Sequence, residues 1–334
     1  MDSARRPRLT PAIADVRRAV RGALEALDGA GSPLVLVGLS GGADSLALVA
    51  ATAFEAPRAG ARAGAVIIDH ALQAGSDAVA ERAAEHARGL GLDPVLVVRV
   101  DVGADGGAGG PEAAARAARY DAFDRALGET GAVGILLAHT LDDQAETVLL
   151  GLARGSGPTS MHGMASRNGR YLRPLLGIRR ADTVQFCADS GLEPWHDPHN
   201  ADPAYARVRV RQSVLPVLER ELGPGVAEAL ARTAEQLRED SAALDEMVLE
   251  FIEEICEPAE AGIAVSVAAL AANPAALRQR VIRFVVQSEF GVSLDRVHTL
   301  SVARLVTDWH GQKALNLPGI RVERNAGLLV FTAA

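Results

Sequence analysis

The sequence predicts an α/β protein: a domain built on a parallel sheet, followed by a smaller, mainly helical domain. In the first half of the chain, short apolar runs alternate with segments of helical spacing. This alternation is typical of a parallel sheet covered by helices on both faces. The length of 334 residues favours about two domains. We place them at residues 1–222 and 223–334.

The elements of the first domain follow one another in a regular order. A first helix is predicted over residues 11–27, because its apolar residues lie three and four apart. Strands are predicted at residues 34–37, 63–69, 94–100 and 133–139. Further helices are predicted from residue 46 onward and at residues 76–90, 111–127, 142–154 and 179–190. Glycine-rich loops are expected at residues 103–110 and 155–169.

The rest of the chain is predicted to be mostly helical. An irregular stretch at residues 195–203 precedes an arginine-rich segment, 205–222, that becomes helical. A long helix is predicted from residue 224 to about residue 257. Beyond residue 265 we expect short helices and a final strand at residues 327–331.

Composition and charge exclude several classes of protein. The net charge of −8 provides no overall basic surface for nucleic acid, so any such contact must come from local clusters of arginine. Cys187 and Cys256 are far apart, which argues against a disulfide framework and a zinc site. We find no signal-peptide pattern and no apolar run long enough to span a membrane. We therefore expect a soluble, cytoplasmic protein.

The glycine-rich stretch after the first strand predicts a phosphate site. Gly41 and Gly42 allow a close approach of ligand to backbone, and the following helix directs its N–H groups toward the same point. Ala43 stands where a Walker A loop needs lysine, and the glycine spacing does not fit a dinucleotide fingerprint. Ser-Gly-Gly-x-Asp-Ser resembles the PP-loop of ATP pyrophosphatases. The simpler alternative is an ordinary strand-to-helix turn with a serine cap.

Two acidic residues follow the fourth predicted strand. Asp143 and Glu146 are three apart and share one face of a helix. They could hold Mg²⁺ or a substrate ammonium group. The alternative is a capping box formed by Thr140 and Asp143. In a parallel sheet the ligand lies beyond the carboxyl ends of the strands, where Ser40, Asp69 and His139 are also expected.

Arginine residues form three further candidates. Arg116 and Arg119 share a helical face and could clamp phosphates, or the helix could be solvated with a Glu112–Arg116 pair. The other candidate arginines fall into two sets along the chain, one of which alternates with other residues. These sets could form two basic patches for a polyanion, or a solvated basic face. The alternating set is Arg207, Arg209 and Arg211, and the second set is Arg167, Arg170, Arg173, Arg179 and Arg180.

Taken together, these segments resemble the tRNA(Ile)-lysidine synthase family of PP-loop enzymes, whose sheet is of the adenine nucleotide alpha hydrolase type. The resemblance is carried in order by SGGADS, IIDHALQ, PEAAARAARYDAF, AHTLDDQAETVLLGLARGSGP, RPLL, WHDPHNADPAYARVRVR and QSVLP. It covers about residues 30–220 and continues more weakly through LAANPAALRQRVIR and LPG, which are similar to that family's substrate-binding helical domain. Val208 and Thr140 depart from the family pattern, which usually has asparagine and histidine there.

The resemblance implies a two-step reaction and a role for each motif. ATP would adenylate the C2 oxygen of the wobble cytidine in the CAU anticodon of tRNA(Ile), and free L-lysine would displace AMP to give lysidine. Asp44, Arg116, Asp143 and Glu146 would be catalytic, with Asp44 contacting Mg²⁺ and the last two binding lysine. The ATP-binding residues would be Ser40, Gly41, Gly42, Ala43, Asp44, Ser45, Asp69 and His139. The tRNA-binding residues would be Arg119, Arg207, Arg209 and Arg211.

Other functions remain open at this level. A PP-loop tRNA thiolase would need catalytic cysteines or an iron–sulfur cluster, and both cysteines lie outside the motifs. A PP-loop amidotransferase or small-molecule ligase would leave the arginine clusters unexplained. A non-catalytic nucleotide sensor is opposed by Asp44, Asp143 and Glu146, and ATP–pyrophosphate exchange would distinguish it. The sequence does not determine the oligomeric state, and a homodimer is compatible with it.

Overall fold

The structure is a computed structural model that describes residues 9–27, 31–69, 75–100, 110–155, 158–195, 197, 202–259 and 262–334. The predicted glycine-rich loop at 103–110 lies almost wholly outside these residues, as does part of the irregular stretch at 195–203. The chain divides into two compact units, Met1–Glu235 and Gln236–Ala334. The boundary at residue 222 that we placed from the sequence remains a prediction.

The first unit contains a six-stranded sheet that is parallel apart from one edge strand. Its strands are β1 (Leu34–Gly38), β2 (Arg62–Asp69), β3 (Val95–Arg99), β4 (Gly134–Leu136), β5 (Arg167–Asn168) and β6 (Tyr171–Leu172). They lie in the order β3-β2-β1-β4-β6-β5, and only the β5–β6 pair is antiparallel. The chain therefore leaves β1 toward β2 on one side and returns to β4 on the other. The predicted parallel α/β fold is confirmed.

Helices cover both faces of this sheet, because successive strand residues point in opposite directions. Val35 and Val37 of β1 pack into one core, and Leu34 and Leu36 pack into the core on the other face. The helices are α1 (Pro11–Glu25), α2 (Ala43–Glu55), α3 (Ser76–Gly89), α4 (Gly110–Thr130), α5 (Leu141–Arg154), α6 (Pro158–Met161) and α7 (Arg180–Ser190). Helices α1, α2, α3 and α7 contribute to the first core, and α4 contributes to the second.

The region after α5 is more ordered than the sequence suggested. The stretch predicted as a loop at 155–169 contains the short helix α6 and strand β5. The buried amide of Gln144 secures this stretch, since it donates to Met164 O at 2.8 Å and accepts from Met164 N at 2.6 Å. A side chain would be strained at Gly163, which adopts φ +61° and where a Cβ atom would lie 2.6 Å from the Gln144 Oε1 atom.

The arginine-rich segment is helical throughout. It forms α8 (Ala206–Arg209), a π-helical turn (Val210–Val214) and α9 (Leu215–Leu222), and is followed by α10 (Val226–Ile255). Alternating residues share one face in a strand but not in a helix. Because this segment is helical, Arg207, Arg209 and Arg211 do not form one solvent-facing row. The division between the two units falls within α10.

The second unit is helical but also contains an antiparallel sheet, of which the sequence predicted only the last strand. Its helices beyond α10 are α11 (Val267–Ala272), α12 (Ala275–Phe290) and α13 (Arg296–Thr307). Its strands are β7 (Cys256–Ala259), β8 (Gly262–Ser266), β9 (Leu315–Leu317), β10 (Ile320–Asn325) and β11 (Leu328–Ala333), in the order β7-β8-β11-β10-β9. Val281, Val302 and Phe331 are fully or almost fully buried in its core. Among the helices that the structure describes, none combines the length and the apolar character needed to cross a membrane.

Candidate active site

The candidate site lies at the carboxyl edge of the parallel sheet, between β1 and β4. β1 pairs with β2 on one side and with β4 on the other, so the direction of the connections reverses here. Ligands of open α/β sheets bind at such a switch point. Ser40 follows β1, Asp69 ends β2 and His139 follows β4, and the parallel registers bring the three strand ends to one edge.

The loop after β1 is shaped by one serine and one glycine. Ser45 Oγ accepts from Ser40 N at 3.2 Å and donates to Gly42 O at 2.9 Å. Gly41 adopts φ +83°, a left-handed conformation that favours glycine. Trp195 N donates to Gly41 O at 2.9 Å and holds the loop from outside. The loop thus ends at the N-terminus of α2, where backbone N–H groups favour an anion.

Asp44, in the first turn of α2, contacts two side chains of α7. Thr183 Oγ1 donates to one carboxylate oxygen of Asp44, and Arg180 Nε lies 3.4 Å from the other. Burial raises the pKa of Asp44, while Thr183 and Arg180 act in the opposite direction. Sequence reasoning did not identify Thr183, and it placed Arg180 only in a basic patch. A threonine in the first turn of a predicted helix provided no signal for this contact.

Asp143 has two roles, one structural and one within the site. The capping box considered from the sequence is present: Thr140 caps α5, and Thr140 N donates to Asp143 Oδ2 at 2.8 Å. The other oxygen, Oδ1, accepts from Arg180 Nη2 at 2.8 Å. Burial opposes ionisation of Asp143, but the charge of Arg180 and the bonds from Thr140 outweigh it and lower its pKa. Asp143 is therefore a carboxylate at neutral pH.

Glu146 is the most buried acid of the site and is surrounded by guanidinium groups. Its side chain has no exposed surface. Arg211 Nε donates to Oε1 at 2.8 Å, Arg180 Nη1 lies 3.2 Å from the same oxygen, and Arg207 Nε lies 3.4 Å from Oε2. Two of the predicted tRNA-binding arginines, Arg207 and Arg211, thus contact an acid in this structure. Their contact with tRNA remains a prediction.

The remaining predicted arginines lie at the surface. Arg209 is exposed, and its Nη1 donates to the backbone oxygens of Pro203 and Ala204 at 2.7 and 2.8 Å. Arg116 is exposed on α4, with its guanidinium carbon 5.0 Å from the centre of the Tyr120 ring. Arg119 lies on the same helix and is also exposed. The Glu112 side chain, the alternative partner of Arg116, lies outside the described residues.

His139 is a neutral imidazole at the edge of the site. Burial lowers its pKa to about 4, assisted by the charges of Arg173, Arg207 and Arg116 and opposed by that of Asp143. Its Nδ1 atom is buried and has no hydrogen-bond partner among the described residues. Asp69, the other predicted ATP-binding residue beyond the loop, is buried at the end of β2.

The acidic residues of the site fit a magnesium ion only if a bound ligand supplies part of its coordination. No group of three His, Cys, Asp or Glu side chains suited to a metal occurs in the described part of the chain. Mg²⁺ is commonly held by one or two carboxylates together with substrate phosphates. Asp44, one carboxylate beside the phosphate loop, meets that requirement.

Comparison with known proteins first defines the class. The sequence model of the PP-loop domain matches residues 16–218, which include the loop, the sheet and both acids of α5. A U34-tRNA thiolase from Methanococcus maripaludis has a similar fold, with a TM-score of 0.57 at 20% identity over 68% of this chain and 80% of that one. At this identity the likeness shows the fold alone. The chain is a PP-loop protein.

The family follows from the second unit and from the relatives. Residues 266–329 match the TilS substrate binding domain. A tRNA(Ile)-lysidine synthase of Leifsonia xyli is 69% identical over 89% of this chain and 89% of its own length. That of Thermobifida fusca is 50% identical over 97% of this chain and 98% of its own. The chain belongs to the tRNA(Ile)-lysidine synthase family.

Proposed function

We propose that this protein ligates free lysine to C2 of the wobble cytidine of tRNA(Ile) with a CAU anticodon, consuming ATP and producing lysidine, AMP and pyrophosphate. The modification changes the codon read from AUG to AUA. One observation carries the proposal beyond family membership. The guanidinium of Arg180 contacts Asp143, Glu146 and Asp44. These shared contacts put both acids of α5 beside the phosphate loop. Since tRNA and free lysine are the substrates, we place the activity in the cytoplasm.

The first step activates the cytidine. The C2 oxygen attacks the α-phosphorus of ATP, and pyrophosphate leaves with the electrons of the broken P–O bond. The loop from Ser40 to Ser45 holds the departing phosphates at the N-terminus of α2. Mg²⁺, bound through Asp44, would neutralise charge on these phosphates. Arg116 and Arg119 on α4 supply further positive charge.

The second step transfers lysine. The ε-ammonium group, with an ordinary pKa of ~10.4, must lose a proton before its nitrogen attacks C2. Asp143 and Glu146 bind the ammonium group, and the ionised carboxylate of Asp143 orients it, while the proton that it loses passes to water. The C–O bond at C2 then breaks and AMP leaves with the oxygen. His139, neutral at this pH, adds no charge that would repel the ammonium group.

The state of the two cysteines disfavours the thiolase alternative. Burial raises the pKa of Cys187 and of Cys256 to about 11 in each case. A sulfur-transfer enzyme needs a thiolate, and these thiols remain protonated at neutral pH. Cys187 Sγ instead lies 3.4 Å from Ala43 O and packs α7 against α2.

The test is incorporation of radiolabelled lysine into a CAU-anticodon tRNA(Ile) transcript. We expect incorporation that requires ATP and that falls by about 100-fold or more in Asp44→Ala, since the loop acts on the leaving group. Glu146→Gln should raise the KM for lysine by about tenfold or more, because a charge-assisted contact is lost. Glu221→Gln is the control for the loss of an acidic charge alone, since Glu221 is 63% exposed and pairs with Arg220.

Two outcomes would contradict the proposal. Pyrophosphate release with another substrate, without lysine incorporation, would retain the PP-loop chemistry and remove the lysidine assignment. An unchanged KM and kcat for lysine in both Asp143→Asn and Glu146→Gln would show that lysine binds elsewhere.

A further inference from the structure

Arg180 connects the two halves of the proposed site. Its backbone N–H, at the start of α7, donates to Asp142 Oδ2 at 2.7 Å and anchors the residue. Its guanidinium then reaches Asp44 on α2 and both Asp143 and Glu146 on α5, at 3.4, 2.8 and 3.2 Å. No other cation described in the structure forms ion pairs with both Asp44 and the acids of α5.

In this arrangement Arg180 occupies the place that an incoming ammonium group needs. Asp143 Oδ2 is committed to the cap of α5, so only Oδ1 is left for a ligand. Oδ1 lies 2.8 Å from Arg180 and 3.5 Å from Arg211, so Arg180 is its closer partner. A second cation cannot bind this oxygen well while the guanidinium remains there.

If Arg180 moved away, the buried acid Glu146 would still be paired with positive charge. Glu146 keeps its contacts with Arg207 and Arg211. The contact between Arg180 and Asp44 is long, at 3.4 Å, and the Arg180 side chain is 23% exposed. Arg180 also borders an open cleft of about 140 Å³, so its side chain is not enclosed on every side.

We propose that Arg180 is a positioning residue that makes lysine binding depend on the nucleotide, a proposal that rests on the function given above. When phosphates occupy the loop beside Asp44, the guanidinium moves to them, because arginine binds phosphate oxygens in bidentate fashion. This movement releases Asp143 Oδ1 for the lysine ammonium group. The nucleotide therefore binds first, and lysine binds tightly only to the nucleotide-loaded protein.

The experiment is isothermal titration of lysine into the full-length chain, with and without α,β-methylene ATP and Mg²⁺. For the unaltered protein we expect the nucleotide to tighten lysine binding by about fivefold or more, the usual lower range of such coupling. In Arg180→Met the lysine Kd should be the same with and without nucleotide. Without nucleotide, this variant should bind lysine at least as tightly as the unaltered protein.

Two further variants make the result interpretable. Arg180→Lys keeps a positive charge and one ion pair, and it serves as a control for misfolding of the methionine variant. The lysine variant should show weaker coupling than the unaltered protein. Arg220→Met should couple like the unaltered protein, because Arg220 is 66% exposed and pairs with Glu221 on α9.

The inference and the proposed function fail in different ways. Equal lysine Kd values with and without nucleotide in the unaltered protein would overturn the role of Arg180, and so would full coupling in Arg180→Met. Absence of lysine binding in both states, with the nucleotide still bound, would instead remove the lysine site itself and the inference with it.

Discussion

At the scale of single residues, burial decides the protonation of His139. Burial of the ring, together with the charges of Arg173, Arg207 and Arg116, lowers its pKa to about 4. The charge of Asp143 acts in the opposite direction. The imidazole therefore remains neutral through the pH range in which an exposed histidine would become charged.

This burial predicts a specific loss of stability in mild acid. Between pH 6.5 and 4 the unfolded chain binds a proton at His139 and the folded chain does not, so the free energy of unfolding falls as pH falls. Between pH 7 and pH 5 the unaltered protein should lose about 2 kcal/mol more than His139→Gln, as measured by denaturant unfolding. Parallel pH profiles for the two proteins would show that the pKa of His139 is not lowered.

At the scale of elements, the phosphate loop depends on one backbone conformation. Gly41 has φ +83°, whereas Gly22, one turn before the end of α1, has no positive φ and open space around it. Gly41→Ala should lower the free energy of unfolding by about 1–2 kcal/mol, the cost of a left-handed residue with a side chain. It should also weaken ATP binding, because the loop would lose its shape.

Gly22→Ala is the matched control for this substitution. It should raise stability by about 0.5–1 kcal/mol, because alanine favours the helix interior, and it should leave ATP affinity unchanged. Unaltered ATP affinity and stability in Gly41→Ala would mean that the loop does not need the left-handed conformation for its function.

The start of α5 shows how one element serves two purposes. Thr140 and Asp143 form the capping box that the sequence suggested as the alternative to a binding site. The structure shows that these interpretations do not exclude each other, because Asp143 uses one oxygen for the cap and the other for Arg180. The cap fixes the direction in which the second oxygen points.

At the scale of the whole molecule, the charge of −8 requires that tRNA affinity come from a few local arginines. Binding should weaken steeply between about 50 and 200 mM salt. Arg209, which is exposed, should contribute one phosphate contact, so Arg209→Gln should lower the slope of log K against log salt by about one. Arg220→Gln should leave that slope unchanged. A flat salt dependence would contradict local arginine binding.

The sequence by itself determined the class of fold and the position of the glycine loop after β1, the candidate phosphate site. Apolar periodicity and glycine act over a few neighbouring residues, so the strands, the loop at Gly41 and the cap of α5 could be predicted from local pattern. The antiparallel sheet of the second unit escaped prediction, because its short strands carry weak periodicity and depend on one another for pairing.

Only the tertiary structure decided which charges meet. Arg180 and Asp44 are 136 positions apart, and Arg211 and Glu146 are 65 apart, so no local pattern pairs them. Their contacts arise because α7 packs against α2 and the helical arginine segment packs against α5. An arginine predicted from sequence as part of a surface patch becomes, through that packing, the group that bridges the two halves of the site.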